Sequence, residues 1–273
     1  MKKTKLLRYI ILGVVTALIA TFLMPPKEKP KGKPRDYAEI ASEGILHAAT
    51  EYNSISFYVD GDTLSGFHYE LIEAFARDHH LKVAISPEMS FNKRLSGLAD
   101  GKYDVIAYGI LATSELKDSL LLTTPIALNR QVLVQRKTES SDDSLFIKSQ
   151  LDLAGKTLNV VKGSPSILRI HNLGNEIGDT IYVKEDDLYS GEQLAIMVAK
   201  KDIDYAVCDQ QIARKSKELL PEIDIETDIS FTQLQSWAVR KDSPILLDSL
   251  NSWLNRIKES GLYDKIYKKY YSR

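Results

Sequence analysis

The sequence predicts an α/β protein made of two doubly wound lobes joined by two hinge strands, with a membrane segment at its N-terminus. Three observations support this. Short apolar runs typical of buried parallel strands alternate with amphipathic helical patterns. Segments 99–109 and 199–209 share one pattern, a helix end, a polar turn, an aspartate and an apolar strand. Two extended segments, 130–137 and 234–242, lie where the chain could cross between lobes.

The N-terminus predicts a signal anchor over residues 1–24. A basic stretch, MKKTKLLR, precedes an uninterrupted apolar run from Tyr9 to Met24, and no cleavage site of small residues follows it. We therefore expect an uncleaved anchor, with a cleaved signal peptide as the alternative. The basic flank should stay in the cytoplasm, so the rest of the chain is expected to be periplasmic or extracytoplasmic. Residues 25–35 contain four prolines and alternating lysines, which predict an extended linker.

The first half of the globular part has the pattern strand, helix, strand, helix, strand. Residues 44–52 predict a strand that leads into a loop, and residues 66–81 predict a helix with one apolar face. A strand follows at 82–87. A helix and a turn then lead to the apolar strand that begins after Asp104.

The second half repeats this order. Residues 156–173 predict a strand, a glycine turn and a helix, and residues 191–213 predict a helix, a turn and a strand. If both extended segments cross between lobes, lobe 1 comprises 36–134 with 236–273, and lobe 2 comprises 138–233. Two hinge strands of this kind permit the lobes to close over a ligand.

Composition excludes several classes of function. Residues 1–35 carry nine Lys or Arg and one acid, whereas the remaining chain carries 27 basic and 36 acidic residues, a net charge of −9. An acidic globular part argues against nucleic acid as a partner. Cys208 is the single cysteine, so no internal disulfide can form, and we expect it to be a small buried hydrophobe. Five histidines without metal-ligand spacing predict neither a metal site nor a cofactor.

Six segments in this order resemble the extracellular solute-binding proteins, family 3, which have the type II periplasmic binding protein fold. The resemblance covers nearly all of residues 44–271 and is carried by GFHYELIEAFARDHHLKV, LADGKYDVIAYGILATSE, LLLTTPIALNRQVLVQRK, LAGKTLNVVKGSPS, KKDIDYAVCD and LNRIKESGLYDKIYKKY. Within the family, TEYNSISFYVDGDTLSGFHYEL looks most like the non-catalytic domain of membrane-bound lytic murein transglycosylase F. The catalytic domain of that enzyme would have to follow residue 273.

The resemblance implies a ligand-binding cleft. In amino-acid-binding members, a hydroxyl and then an arginine after the third strand bind the ligand's α-carboxylate. This chain has Leu111 and Leu116 there, so we expect no free amino acid held in that way. Asp209 matches the residue that binds the ligand's amino group, with a helix N-cap as the alternative. Gly163 and Ser164 open a helix whose N–H groups could bind a carboxylate, with capping by Ser164 as the alternative.

Aromatic side chains should form the walls of this cleft. Phe91 matches the ring that stacks on the ligand in the family, and the first loop contributes Tyr52, Phe57 and Tyr58. Core packing is the alternative role for Phe57. The remaining candidates, on the strand that ends in the binding loop, are Tyr108, Gly109 and Ile110.

The sequence therefore predicts a membrane-tethered solute-binding protein that is not an enzyme. Its expected ligand is a peptide, a muropeptide or an amino-acid derivative, and its expected partners are an ABC transporter or a cell-wall enzyme. Alternatives are a degenerate cleft in an interaction or sensor domain, a lyase or dehydratase, and an enzyme related to lytic transglycosylases. A dehydratase needs a positioned acid, for which Asp209 and Glu51 are candidates. The GSPS segment lacks the Gly-x-Ser-x-Gly pattern of a nucleophile elbow.

Overall fold

The computed structural model describes residues 35–138 and 145–271. The predicted anchor over residues 1–24, and all of the predicted linker except Arg35, lie outside these described residues. None of the helices in the described part of the chain is long and apolar enough to cross a membrane.

The first sheet is mixed and has six strands in the described residues. They are β1 (Ile45–Thr50), β4 (Lys82–Pro87), β5 (Val105–Leu111), β6 (Leu120–Leu122), β7 (Ala127–Asn129) and β13 (Gln233–Arg240). Their order is β4-β1-β5-β13-β6, and β7 also pairs with β13. Strands β4, β1 and β5 are parallel, whereas β13 is antiparallel to β5. Its helices are α1 (Tyr37–Glu43), α2 (Phe67–Asp78), α3 (Phe91–Ala99), α4 (Ser114–Ser119), α8 (Pro244–Glu259) and α9 (Leu262–Tyr271). A hairpin of β2 (Tyr58–Asp60) and β3 (Thr63–Ser65) precedes α2.

The second sheet has five strands in the described residues. They are β8 (Gln131–Arg136), β9 (Thr157–Val161), β10 (Tyr182–Asp186), β11 (Ala206–Asp209) and β12 (Ile223–Asp224). Their order is β10-β9-β11-β8-β12, with β10, β9 and β11 parallel and β8 antiparallel to β11. Its helices are α5 (Ser166–Ile177), α6 (Gly191–Ala199) and α7 (Gln210–Leu219), and a short 3₁₀ helix spans Gln150–Leu153.

Both sheets are therefore built alike, from three parallel strands beside one antiparallel strand. The antiparallel strand reaches each sheet by a crossing from the other half of the chain. Strand β8 lies wholly in the second sheet, where Val132 is paired with Cys208, so the chain leaves the first sheet at Arg130 rather than at the predicted 134. Strand β13 begins at Gln233 in the first sheet, close to the predicted boundary. The two extended segments seen in the sequence are the strands that follow these crossings.

Apolar clusters cover both faces of each sheet, which confirms the predicted α/β organisation. Alternate residues of a strand point to opposite faces. On β5, Val105 and Ala107 join the cluster under α2 and α8, whereas Ile106 joins the cluster under α3. On β8, Leu133 packs on one face of the second sheet, and Val132 packs on the other.

Capping residues fix the starts of the helices that border the space between the sheets. Ser90 accepts a hydrogen bond from the Lys93 N–H and so begins α3. Ser190 accepts a hydrogen bond from the Gln193 N–H, and the Gln193 side chain accepts one in return, which forms a capping box at the start of α6. These local signals determine where the side chains of α3 and α6 enter the site.

Candidate ligand-binding site

A cavity of about 60 Å³ lies between the two sheets. The first half and β13 line it with Glu51, Phe91, Arg94, Tyr108, Gly109, Ile110, Leu111 and Gln235. The second sheet and its helices line it with Gln131, Val161, Ser164, Pro165, Ser166, Gly191, Val207, Cys208, Asp209 and Ile212. Several of these residues lie at the carboxyl ends of parallel strands, where open α/β sheets bind ligands. One water molecule needs roughly 10–15 Å³, so the space suits a ligand of about six non-hydrogen atoms.

Seven of the twelve predicted site residues line this cavity. They are Phe91, Tyr108, Gly109, Ile110, Leu111, Ser164 and Asp209. The four consecutive residues among them form the end of β5. The structure therefore places the end of β5 at the cavity, whereas the predicted position Leu116 after this strand lies outside the lining.

The other five predicted residues lie outside the cavity lining. Phe57 is buried between the rings of Tyr52 and Tyr69, which agrees with its alternative role in packing. Tyr52 is 46% exposed, and Tyr58, on the β2–β3 hairpin, packs against the cluster under α2.

Leu116 and Gly163 lie outside the cavity lining for different reasons. Leu116 lies on α4 and packs against the apolar cluster under α3. Gly163 has a φ of +69°, and its N–H donates a hydrogen bond to Glu185. A methyl group at Gly163 would lie 2.8 Å from the side-chain amide of Asn92, so the two lobes are in contact there.

Asp209 is a partly buried carboxylate of the cavity lining, and it forms no ion pair with any described residue. It occupies the N-cap position of α7, but its side chain makes no capping hydrogen bond. Instead, the side-chain amides of Gln131 and Gln235 donate to its two oxygens. Burial and the negative charge of Glu51 together raise the pKa of Asp209 to about 6, against the opposing effect of the two amide hydrogen bonds. The structure therefore does not support the capping alternative, and the ligand-binding role of Asp209 stays a prediction.

Glu51 and Arg94 form a second charged group in the cavity wall. Arg94 Nη2 donates to Glu51 Oε2 at 2.9 Å, and both side chains are at least 95% buried. Asn53 donates to the other oxygen of Glu51 at 3.2 Å. The Arg94 guanidinium lies 4.6 Å from the centre of the Tyr108 ring. Burial, and then the charges of Glu51 and Asp209, raise the pKa of Tyr108 well above its usual value, whereas Arg94 lowers it.

The opening of α5 does not offer free backbone donors near Ser164. The Ser164 N–H donates to Val161 O, and the Ser164 hydroxyl accepts from the Ser166 N–H at 3.3 Å. The Ile167 N–H donates to Ser164 O. The structure therefore agrees with the capping alternative for Ser164, and it does not support a carboxylate bound to these N–H groups.

The charged lining of the cavity consists of Glu51, Arg94 and Asp209. Since Arg94 is already paired with Glu51, the remaining charge in the lining is that of Asp209. A partly buried carboxylate whose hydrogen-bond partners are neutral amides favours a positively charged partner. The arrangement can therefore hold an ammonium group.

Sequence reasoning did not identify Arg94, Gln131 or Gln235 as site residues. Arg94 follows Phe91 by one helical turn, and that spacing would have placed both on the same face of α3. The two glutamines lie at the starts of the strands that follow the crossings. Polar residues at such positions are the signal that could have indicated a site between the sheets.

Two contacts between the lobes involve neighbours of residues that line the cavity. The Ser54 N–H, in the loop after β1, donates to Glu192 Oε2 of α6 at 3.2 Å. Asn92, at the start of α3, lies against Gly163 after β9. Because each contact joins one sheet's elements to the other's, the structure has the lobes closed against each other.

Known proteins match this chain over most of its length. A membrane-bound lytic murein transglycosylase F of Desulfosudis oleivorans is 30% identical over 235 residues, which is 86% of this chain and 50% of that protein. The corresponding protein of Cronobacter sakazakii is 27% identical over 272 residues, 99% of this chain and 51% of that protein. The chain therefore spans about half the length of the curated relatives it matches, and the predicted resemblance to transglycosylase F is confirmed.

Solved structures confirm the predicted type II periplasmic binding protein fold. A mutant of ArgBP from T. maritima has a TM-score of 0.74 and 27% identity, covering 86% of this chain and 99% of that chain. An ancestral arginine-binding protein bound to arginine has a TM-score of 0.73 and 29% identity, covering 84% and 99%. The model of the bacterial extracellular solute-binding proteins, family 3, matches residues 45–273. The chain therefore belongs to the bacterial extracellular solute-binding proteins, family 3.

Proposed function

We propose that this protein binds a small solute that carries an ammonium group, in the cavity between its two lobes. The observation that carries the proposal is Asp209, a partly buried carboxylate in the cavity lining whose hydrogen-bond partners are two neutral amides. The ligand's ammonium would pair with Asp209 while the rest of the ligand contacts Phe91 and the end of β5. Two structural relatives named for arginine binding support a role in binding solutes.

The ligand that we propose is a short peptide, a muropeptide or another amino-acid derivative, rather than a free amino acid. A bidentate arginine–carboxylate pair is worth roughly 2–5 kcal/mol, so its loss would weaken binding about 30-fold to several thousand-fold. Leu111 and Leu116 stand where that pair would be made. The small cavity would hold the N-terminal residue of a peptide, and the remainder would extend out between the lobes.

We also propose a tethered, extracytoplasmic location. The basic and apolar character of residues 1–24 supports an anchor, and the match to membrane-bound relatives supports the same location. An ABC transporter or a cell-wall enzyme is the partner class that this location favours. Fractionation of cells tests the tether: the protein should pellet with membranes and resist extraction by high salt. Release as a shorter soluble protein would support a cleaved signal peptide instead.

The proposed activity is binding without turnover. One observation favours a lyase as the second candidate, because a carboxylic acid with a pKa near 6 in a closed cavity could act as a general acid or base. The two candidates differ in outcome. A binding protein returns its ligand unchanged after prolonged incubation, whereas a lyase releases a product that mass spectrometry detects.

Thermal unfolding with a ligand panel tests the proposed function. The panel contains free amino acids, their amides, dipeptides, muropeptides and sugars. A ligand at 100 times its Kd should stabilise the protein by about 2.7 kcal/mol, a shift of several degrees in Tm. We expect shifts with peptides and amides, and their loss in the variant Asp209→Asn. Shifts with free amino acids alone would contradict the proposed ligand class, and no shift at all would favour an interaction domain with a degenerate cleft.

A further inference from the structure

One side-chain nitrogen of Arg94, Nε, has no hydrogen-bond partner among the described residues. Its side chain is 2% exposed and lines the cavity. Nη2 donates to Glu51, and Nη1 donates to the backbone oxygens of Glu88 and Met89. The Nε–H, by contrast, is buried and has no hydrogen-bond partner within residues 35–138 and 145–271.

An unsatisfied donor of this kind is costly. Leaving a buried donor without a partner costs about 1–3 kcal/mol, and more for a charged group. The guanidinium of Arg94 is held by the carboxylate of Glu51, by the backbone oxygens of Glu88 and Met89, and by the ring of Tyr108. Because three contacts fix the group, it cannot turn to find a partner for Nε without breaking one of them. A donor held in this way beside a cavity points to an acceptor on a ligand.

The charge around Arg94 restricts which acceptor suits it. Glu51 already neutralises the guanidinium, so a ligand carboxylate would face the negative charge of Glu51 without a free cation in the lining. The backbone N–H groups at the opening of α5 are also occupied. An uncharged carbonyl needs one donor and brings no charge, so it meets the site's requirements better than a carboxylate.

We propose that Arg94, through its Nε–H, binds an uncharged carbonyl of the ligand and thereby selects amides over carboxylates. The inference rests on the proposed function, in which Asp209 binds the ligand's ammonium. The ligand class is then a primary ammonium with a neighbouring amide carbonyl, which is the N-terminal residue of a peptide or an amino-acid amide. Arg94 supplies from α3 a contact that Leu116 on α4 does not make.

Three small probes with the same three-carbon skeleton test this inference by isothermal titration calorimetry on the full-length protein at pH 7. L-Alaninamide carries the ammonium and an amide, L-alanine carries the ammonium and a carboxylate, and isopropylamine carries the ammonium alone. We expect alaninamide to bind at least about tenfold more tightly than either of the others, because a hydrogen bond to a charged donor is worth about that factor or more. L-Alanyl-L-alanine then distinguishes a peptide source from a simple amide.

Two variants locate the effect. Arg94→Lys keeps the charge but removes Nε, and it should weaken alaninamide binding roughly tenfold while leaving isopropylamine within about twofold. Glu51→Gln keeps Arg94 and removes the charge that opposes a carboxylate, so it should improve alanine binding relative to alaninamide. Arg77→Lys, at an exposed position on α2, is the matched control and should change neither ligand's affinity.

The outcomes separate the two proposals. Equal binding of alaninamide and isopropylamine to the unchanged protein would overturn the role of Arg94 and leave binding at Asp209 intact. Preference for alanine over alaninamide, or a ratio unchanged by Glu51→Gln, would also overturn it. If none of the three probes nor the dipeptide binds, the proposed function and this inference both fail.

Discussion

At the scale of a single residue, Asp209 is the group that we propose to bind the ligand, and it also lowers the stability of the folded protein at neutral pH. Burial raises its pKa from an ordinary value of 3.8 to about 6. Between these two pH values the folded protein keeps a proton on Asp209 that the unfolded chain has lost. Stability from this group is present below pH 3.8 and is lost as the pH rises through 6. At neutral pH the ionised carboxylate of Asp209 therefore lowers the free energy of unfolding. Such a cost in stability suits a group whose partner is a ligand.

Asp209→Asn should stabilise the ligand-free protein at pH 7.5. The substitution removes a partly buried charge, and one pKa unit corresponds to about 1.4 kcal/mol, so we expect a gain of about 1–3 kcal/mol in the free energy of unfolding. Urea denaturation followed by far-UV circular dichroism measures the gain. The same variant should no longer bind alaninamide. Loss of stability at pH 7.5 would show that the carboxylate has a structural partner.

His68 should have the opposite effect on acid stability. Trp237 Nε1 donates to its Nδ1 at 2.9 Å, and burial lowers its pKa from 6.5 to about 3. The unfolded chain gains this proton first, so stability is lost as the pH falls through 6.5 towards 3. Between pH 6.5 and 5 the loss is about 2 kcal/mol, which the protonation of Asp209 largely offsets.

Urea denaturation at pH 6.5 and at pH 5 distinguishes the contributions of His68 and Asp209 to stability. His68→Gln, which keeps an acceptor for Trp237, should become more stable at the lower pH, whereas Asp209→Asn should become less stable there. The unchanged protein should show a smaller difference than either variant. Equal pH dependence in all three proteins would contradict the opposed contributions.

At the scale of elements, the start of α2 depends on one glycine. Gly66 has a φ of +133°, and a methyl group there would lie 2.3 Å from the backbone oxygen of Ser56. Gly66→Ala should therefore lower the free energy of unfolding by about 3 kcal/mol or more, because backbone must move. Gly44→Ala is the matched control, since Gly44 has a φ of +71° but no neighbouring atom within 4 Å, and about 1 kcal/mol is expected. Similar losses in both variants would contradict the steric cause.

The elements were predictable from the sequence because their causes are local. Apolar periodicity and capping residues such as Ser90 act within a few positions, and the strands at 82–87 and after Asp104 were found in this way. The site was only half predictable because its pairs are distant in sequence. Arg94 and Glu51 are 43 residues apart, and no periodicity relates them.

The first loop shows the same limit. Its aromatic residues suggested a ligand wall, but the β2–β3 hairpin turns Tyr58 towards the core, and Phe57 packs between two rings. Aromatic residues suit a core and a ligand wall equally well. The outcome depends on backbone pairing across the hairpin, which composition does not reveal.

At the scale of the whole molecule, the two sheets exchange one strand each way. The two crossings that precede β8 and β13 join the lobes covalently. The Ser54–Glu192 and Asn92–Gly163 contacts join them a second time, through side chains. Ligand binding and lobe closure should therefore be coupled, since a ligand held by Asp209 and Arg94 touches both lobes.

Glu192→Ala tests this coupling. It removes the acceptor for the Ser54 N–H, which matters only when the lobes are closed. We expect alaninamide to bind about 3- to 10-fold more weakly, mainly through faster dissociation, because one charge-assisted hydrogen bond is lost from the closed state. The free energy of unfolding without ligand should change by no more than about 0.5 kcal/mol. Calorimetry and stopped-flow dissociation measure the two effects.

The control for this variant is Glu218→Ala on α7. Glu218 pairs with Lys215 on the exposed side of that helix, so the same change in charge is made away from the contact between lobes. Alaninamide affinity should be unchanged there. If Glu192→Ala and Glu218→Ala bind alaninamide equally, the Ser54–Glu192 contact does not stabilise the closed state, and closure depends on the ligand's own contacts with the two lobes.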